Sequence, residues 1–152
     1  MPYASADARR EMLDEVERAA DHLSVALSDL SEAFELLDDT TAERLEEELF
    51  GPVQAAYGRI RRTHTAFAKR HDLEEGTFAT AARGAPGRGV KGFLDDAAKE
   101  VGEADTTLST LQDSMLPVEI GDPELRQGLA QVRELLGSFQ GRVREFGRTL
   151  GR

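Results

Sequence analysis

The spacing of apolar residues constrains this chain more than any other feature of its sequence. In three stretches the apolar residues recur at steps that alternate three and four without a miss, a heptad period typical of α-helices packed side by side. The first stretch is Leu13, Val16, Ala20, Leu23, Leu27, Leu30, Phe34 and Leu37, and it is widened by the flanking residues Met12, Ala19, Ala26 and Ala33. The other two cover residues 90–115 and 125–150. The pattern predicts an all-α protein whose amphipathic helices share one core.

Start and stop signals place four helices, at about residues 5–38, 40–71, 89–116 and 123–150. Thr40-x-x-Glu43 is a capping-box pattern at the start of the second helix, and Pro52 is expected to kink or break that helix. Two of the three links are short. We therefore predict an antiparallel up-down four-helix bundle, one domain over residues 1–152, with a kinked second helix and a glycine-rich link between helices two and three.

The charge is unevenly distributed along the chain. The net charge of −10 argues against nucleic acid and anionic membranes as partners, because both require a basic surface. Residues 1–50 carry −11, residues 59–91 carry +5, residues 92–125 carry −8 and residues 126–152 carry +4. In an up-down square, each acidic helix would lie between two basic ones. This alternation is expected to favour that topology, although exposed ion pairs contribute only ~0.2–1 kcal/mol each.

Several classes of protein are excluded or disfavoured by composition. The chain has no cysteine, so it has no disulfide, no thiolate nucleophile and no cysteine-based zinc site. The N-terminal residues do not resemble a signal peptide, and no window approaches eighteen uncharged apolar residues. We expect a cytoplasmic protein without a cofactor. With three histidines and no defensible Ser/His/Asp arrangement, the sequence leans against an enzyme.

A basic, glycine-rich segment over residues 83–92 is the first candidate site. Its glycines satisfy G-x-G-x-x-G, but no strand precedes them, so a dinucleotide fingerprint is not indicated. A basic loop that opens a helix can present free N–H groups and the positive end of the helix dipole to an anion. The candidate anion-binding residues are Arg83, Gly87, Arg88, Gly89 and Lys91. The alternative is a simple turn between two long helices.

The second candidate is a stripe of Tyr57, His64 and His71 on helix two. A lone His64 could serve as an axial haem ligand or join a metal site. Seven residues separate the two histidines, which is ~10 Å along a helix and too far for one ion without other helices. The alternative is a boundary histidine, with His64 reaching solvent or forming a hydrogen bond across a helix interface.

The third candidate lies on the outer face of helix four. Gly137 and Gly141 fall outside the apolar stripe, near Arg144 and Arg148. Glycine inside a helix costs ~1 kcal/mol relative to alanine, so a pair of glycines suggests close approach of a partner helix. The alternative is that they reflect only the high glycine content of this chain.

The preferred functional hypothesis is a non-catalytic helical module for interaction or scaffolding, with a protein partner or a second copy of the chain. One alternative is a small-ligand module that binds a phosphate-like anion at residues 83–92. A further alternative is a metal or haem bundle that uses His64.

Overall fold

The computed structural model describes residues 6–76, 78 and 88–150, and within these ranges it contains helices and no strand. The prediction of an all-α protein is confirmed. A π-helical turn (Glu46–Phe50) joins the second and third helices. The helices are α1 (Ala6–Glu35), α2 (Asp39–Leu45), α3 (Gly51–Arg70), α4 (Val90–Asp113), α5 (Leu116–Ile120), α6 (Pro123–Leu136) and α7 (Phe139–Leu150). Among the described residues, no helix combines the length and the apolar character that a membrane crossing requires.

The second and fourth predicted helices differ from the expectation in where the helix is interrupted. The backbone stays helical from α2 through the π-helical turn into α3, so Pro52 does not break it. Pro52 instead falls in the first turn of α3, directly after the π-helical turn, where the wider hydrogen-bonding ring accommodates its missing N–H. The predicted fourth helix is two helices, α6 and α7, and Gly137 is the residue that ends α6.

The N-cap residue agrees with the prediction at the start of α6 and differs from it at the start of α2. The dipeptide Asp122-Pro123 predicts an N-cap followed by proline at the first helical position. The backbone N–H of Leu125 donates to Asp122 Oδ1 at 3.0 Å, which confirms Asp122 as the N-cap of α6. The capping box at Thr40 is not formed. Thr41 N donates to Asp38 Oδ1 at 2.9 Å, so the helix begins two residues earlier than the pattern indicated.

The core contains most of the predicted stripe residues, but α1 is rotated relative to the expectation. Leu30, Val101, Leu108, Val132 and Phe139 are buried as predicted, as are Leu49 within the π-helical turn and Val53 in the first turn of α3. Leu27 is only partly buried, and Phe34 is 37% exposed. The fully buried residues of α1 include its flanking alanines: Met12, Leu13, Val16, Ala19, Ala20, Leu23, Ala26, Leu30 and Ala33.

The most extensive helix–helix contact joins α1 to α4. The two helices run antiparallel. Glu15 and Thr107 line one groove near the start of α1 and the end of α4. Further along, His22 Nδ1 lies 2.6 Å from Glu100 Oε2. Small residues at the buried positions of both helices, such as Ala26 in α1, allow this close approach.

The other neighbouring helices are also antiparallel. α3 packs against α1 and α6, and α4 packs against α6 and α7. Arg70, at the end of α3, donates to Asp122, directly before α6, at 2.8 Å. Gln140 in α7 donates to the carbonyl of Ala98 in α4, also at 2.8 Å.

These contacts contradict the order of neighbours in the predicted up-down square. The prediction placed the acidic first and third helices diagonally opposite each other, whereas α1 and α4 are the closest pair. Because α3 and α4 are both antiparallel to α1, they run in the same direction. The connection over residues 72–88 therefore passes from one end of the helices to the other. An extended chain covers up to ~3.3 Å per residue, which is ample for the ~36 Å length of α4.

The start of this connection is visible in the described residues. Asp72 has a φ of 54° and ends α3 in a left-handed conformation. Gly76 then lies against Glu17 and His64, where a Cβ atom would collide with the Glu17 carboxylate. Phe78 packs edge-on against the His64 ring, with 5.0 Å between ring centroids. The chain thus returns along the groove between α1 and α3.

A buried carboxylate joins the end of α3 to the start of α6. Asp122 is 6% exposed and accepts hydrogen bonds from Arg70 at 2.8 and 3.0 Å and from Leu125 N. Its Oδ2 atom also lies 2.9 Å from His71 Nε2. Burial alone would raise the pKa of Asp122, but the hydrogen bonds from Leu125, His71 and Arg70 outweigh it and hold the pKa below its usual value.

We expect Asp122→Ala to lower the free energy of unfolding by ~3–5 kcal/mol, because it leaves Arg70 without its buried partner and removes the N-cap of α6. Urea denaturation at pH 7 measures the loss. Glu124→Ala is the matched control, since Glu124 pairs with the same guanidinium at 2.8 Å but its side chain is 73% exposed. That control should cost less than ~1 kcal/mol. Equal losses of unfolding free energy in the two variants would contradict the assignment of Asp122 as the buried partner of Arg70 and the N-cap of α6.

Candidate functional site

The predicted anion site of the glycine-rich segment is divided in the structure. Arg83 and Gly87 lie outside the described residues. Gly89 is the N-cap of α4, with extended backbone. Arg88 donates to Asp96 Oδ1 at 2.9 Å and to the carbonyl of Gly92 at 3.0 Å, so it is directed toward acidic groups beside α1. Lys91 points to a different neighbour, α7. Arg88 and Lys91 thus have different neighbours, and an anion site at this segment stays a prediction.

Lys91 instead meets two residues that the sequence assigned to a separate site. A cleft of about 770 Å³ between the start of α4 and the end of α7 is lined by Lys91, Arg144 and Arg148. Its remaining lining residues are Val90, Leu94, Asp95, Val143, Gly147 and Leu150. Two sequence candidates, the glycine-rich segment and the outer face of helix four, thus contribute to one surface.

The two glycines of the third candidate have different surroundings. Gly137 ends α6, and its N–H donates to the carbonyl of Glu134 at 3.2 Å. Gly137 therefore serves to end α6. Gly141 is exposed in α7, and a Cβ atom there would approach only the Arg144 side chain, at 3.9 Å. Neither glycine contacts a neighbouring helix within the described residues, so close approach to a partner stays a prediction.

His64 is fully buried, and both of its ring nitrogens lack a hydrogen-bond partner within the described residues. Nε2 lies 3.4 Å from Glu17 Oε1. Burial, and then the positive charge of Arg10, lower the pKa of His64, while burial raises the pKa of Glu17 against the opposing effect of Arg10. Both shifts favour the uncharged forms. The sequence predicted either a ligand or a hydrogen bond at His64, and it identified neither Glu17 nor the covering residues Gly76 and Phe78.

The three residues of the histidine stripe have separate partners. His71 is bound to Asp122, as described above. Tyr57 lies beneath the guanidinium of Arg61, 5.6 Å from its ring centroid. The described residues contain no cluster of three His, Asp or Glu side chains that could hold a metal ion. The arrangement gives no support to the metal or haem hypothesis at His64.

A buried acid at the α1–α4 contact was also missed. Asp29 is 5% exposed. Burial, and then the negative charges of Asp96 and Glu100, raise the pKa of Asp29 to about 6, while Arg88 acts in the opposite direction and Glu32 adds to the increase. The packing of two acidic helices is the direct cause. A signal was present in the sequence, because Asp29 falls three residues after Ala26 and four before Ala33, within the widened apolar stripe.

The exposed side of α3 has the opposite charge. The helix contains five basic residues and no aspartate or glutamate. Arg61, Arg62 and Lys69 line a shallow open groove of about 480 Å³ whose other lining residues, Gly58, Thr65 and Ala66, are small. We call these six residues the basic face. Arg61 also lies over the Phe78 ring at 4.8 Å, which holds its guanidinium in place.

Comparisons with known proteins place this chain in no family: no family model matches it, and no curated protein and no solved structure is significantly similar.

We expect Asp29→Asn to stabilise the protein at pH 7 by ~2 kcal/mol and to change little near pH 4. The pKa of Asp29 is higher in the folded protein than in the unfolded chain, so its ionisation opposes folding as the pH rises from about 4 to 6. Thermal or urea unfolding as a function of pH measures the effect.

Asp21→Asn is the control for that experiment, because Asp21 is exposed on the same helix. It should leave the pH dependence of stability unchanged. A wild-type protein whose stability does not fall between pH 4 and 7 relative to Asp29→Asn would contradict the prediction.

Proposed function

We propose that this chain is a four-helix bundle that acts as a non-catalytic interaction module and associates with further copies of itself. In the proposed bundle, α1, the α2–α3 segment, α4 and the α6–α7 segment are the four helices. Each has two antiparallel neighbours, and parallel helices lie diagonally opposite. The antiparallel contacts of α1 with α3 and α4, and of α6 with α3, support this arrangement.

The observation that carries the proposal is the separation of charge. α1 has nine acidic and three basic residues, and α4, directly beside it, has six acidic and two basic residues. The basic face belongs to α3, which has no acidic residue. Like charges on adjacent helices repel each other: burial is the main cause of the raised pKa of Asp29, and the negative charges of Asp96 and Glu100 on α4 add to it. An external basic surface would relieve that repulsion.

A second copy of this chain is a partner with the required chemistry. The basic face of one molecule would meet the acidic side of the next, formed by exposed residues of α1 and α4 such as Asp21 and Glu103. Contact between two different surfaces is heterologous, so it produces rings or open chains instead of a closed two-fold dimer. Such an assembly would be a scaffold.

When two molecules are close together, the charges of their facing surfaces affect the interaction more than their net charges do. Two molecules of charge −10 repel each other at long distance. At physiological ionic strength, however, charges on the surface are screened beyond ~8 Å, so the facing surfaces dominate the interaction once the molecules meet. The basic face carries three cations on a shallow surface with small residues between them, which allows close approach.

Sedimentation of the full chain should therefore show concentration-dependent association at about 0.15 M salt, where charges act over ~8 Å, and dissociation at about 1 M, where they act over ~3 Å. Arg62→Glu should weaken the association about tenfold at about 0.15 M salt, because it places a negative charge in the centre of the basic face.

Lys99→Glu is the matched control. It changes the net charge equally, but it lies on an exposed position of α4, on the acidic side. If complementary faces drive association, this variant should associate as well as the wild type or more tightly. A monomer under all conditions, or equal weakening by both substitutions, would refute self-association through these faces.

A further inference from the structure

The cleft between α4 and α7 has two chemically distinct parts. Its floor is apolar: Leu94 and Val143 are buried, and Val90 and Leu150 are partly buried and packed against the core. Its rim is charged and exposed. A surface of this kind offers both burial for an apolar group and charged atoms at its edge, the combination found in small-ligand sites.

The charges of the rim are opposite in sign to the whole protein. Lys91, Arg144 and Arg148 line the cleft together with a single acid, Asp95. Arg148 also pairs with Glu145 at 3.3 Å, but both side chains of that pair are at least 65% exposed, so an incoming anion can compete for the guanidinium. The rim therefore favours a negatively charged group within a protein of net charge −10.

The space in the cleft depends on a glycine. Gly147 lies in the interior of α7 and lines the cleft, and a Cβ atom built there would meet no atom within 4 Å. Glycine is less favourable than alanine at such a position, so local helix stability does not explain it. The missing side chain leaves the cleft open between the apolar floor and the cations.

We propose that this cleft binds a small amphiphile with an apolar body and one anionic head group, a carboxylate or a phosphate monoester. The apolar body would cover Leu94 and Val143, and the head group would accept charge-assisted hydrogen bonds from Lys91 and Arg144. The volume of about 770 Å³ lies within the range of small-ligand sites. This site differs from the basic face on α3, so the proposal does not depend on self-association.

The choice of an amphiphile follows from the two parts of the cleft taken together. Inorganic phosphate would use the cations and leave the floor exposed to water. A neutral apolar molecule would cover the floor but leave the cations without a partner. Only a molecule with both parts satisfies the whole surface, because apolar burial contributes affinity and the charged contacts fix its orientation.

The test is titration of the full chain with decanoate and decyl phosphate below micelle-forming concentrations, followed by NMR shifts of backbone amides. Shifts should concentrate at residues 90–95 and 143–150. Inorganic phosphate and decyltrimethylammonium are the comparison probes, one without the apolar body and one with the opposite charge. Both should bind at least tenfold more weakly than decanoate. Comparable binding of either probe would overturn the proposal, as would the absence of shifts with millimolar decanoate.

Two variants separate the parts of the site. Gly147→Leu fills the cleft at a position with free space, so it should reduce decanoate affinity at least tenfold while the thermal transition is retained or raised. Gly141→Leu is its control, an exposed glycine of the same helix that does not line the cleft, and it should bind normally. Lys91→Gln combined with Arg144→Gln should weaken decanoate about tenfold. Unchanged affinity in Gly147→Leu, or an equal loss in Gly141→Leu, would refute the cleft as the site.

Discussion

The close packing of α1 against α4 determines the arrangement of the other helices. Alanines at the buried positions of α1, together with Ala97 and Ala104 of α4, let the two backbones approach along most of their length. Apolar contact of this extent outweighs the repulsion between two acidic helices, since individual exposed charges contribute less than ~1 kcal/mol. At Asp29, burial in this contact is the main cause of the raised pKa, and the negative charges of Asp96 and Glu100 add to it. With the acidic helices together, the basic residues of α3 are left on a separate surface.

The same packing accounts for the environment of His64. Because α4 runs parallel to α3, its start lies at the opposite end of the helices from the end of α3, and two described residues that follow α3, Gly76 and Phe78, cover the His64 ring. A buried histidine without a hydrogen bond is unfavourable, and Glu17 at 3.4 Å offsets this only in part. We regard the contact between His64 and Glu17 as a consequence of this topology, since the described residues around it offer no further ligand.

The heptad pattern predicted the helices and most of the core, because burial of an apolar stripe is a local property of sequence. It did not predict which helices would be neighbours. α1 has two adjacent stripes, one mainly of leucines and one of alanines that widens it. The structure buries Ala19, Ala26 and Ala33 completely, leaves Leu27 partly buried and exposes 37% of Phe34. The steric benefit of alanine appears only when a specific partner helix, here α4, is present. Charge alternation along the chain was a weaker guide, since surface pairs contribute little.

The same limit applies to the candidate sites: the sequence identified individual residues but not which of them lie together. Sequence reasoning identified Lys91 and the pair Arg144 and Arg148 as unusual, but it assigned them to separate sites, because no local pattern relates the start of α4 to the end of α7. Their convergence follows from the antiparallel contact of these two helices. Arg88, only three residues before Lys91, instead donates to Asp96 of α4, and its positive charge opposes the increase in the pKa of Asp29. The start of α4 thus places a cation on each of its two sides. Arg88 offsets the repulsion between acidic residues such as Asp29 and Asp96, and Lys91 is left available to a ligand in the cleft between α4 and α7.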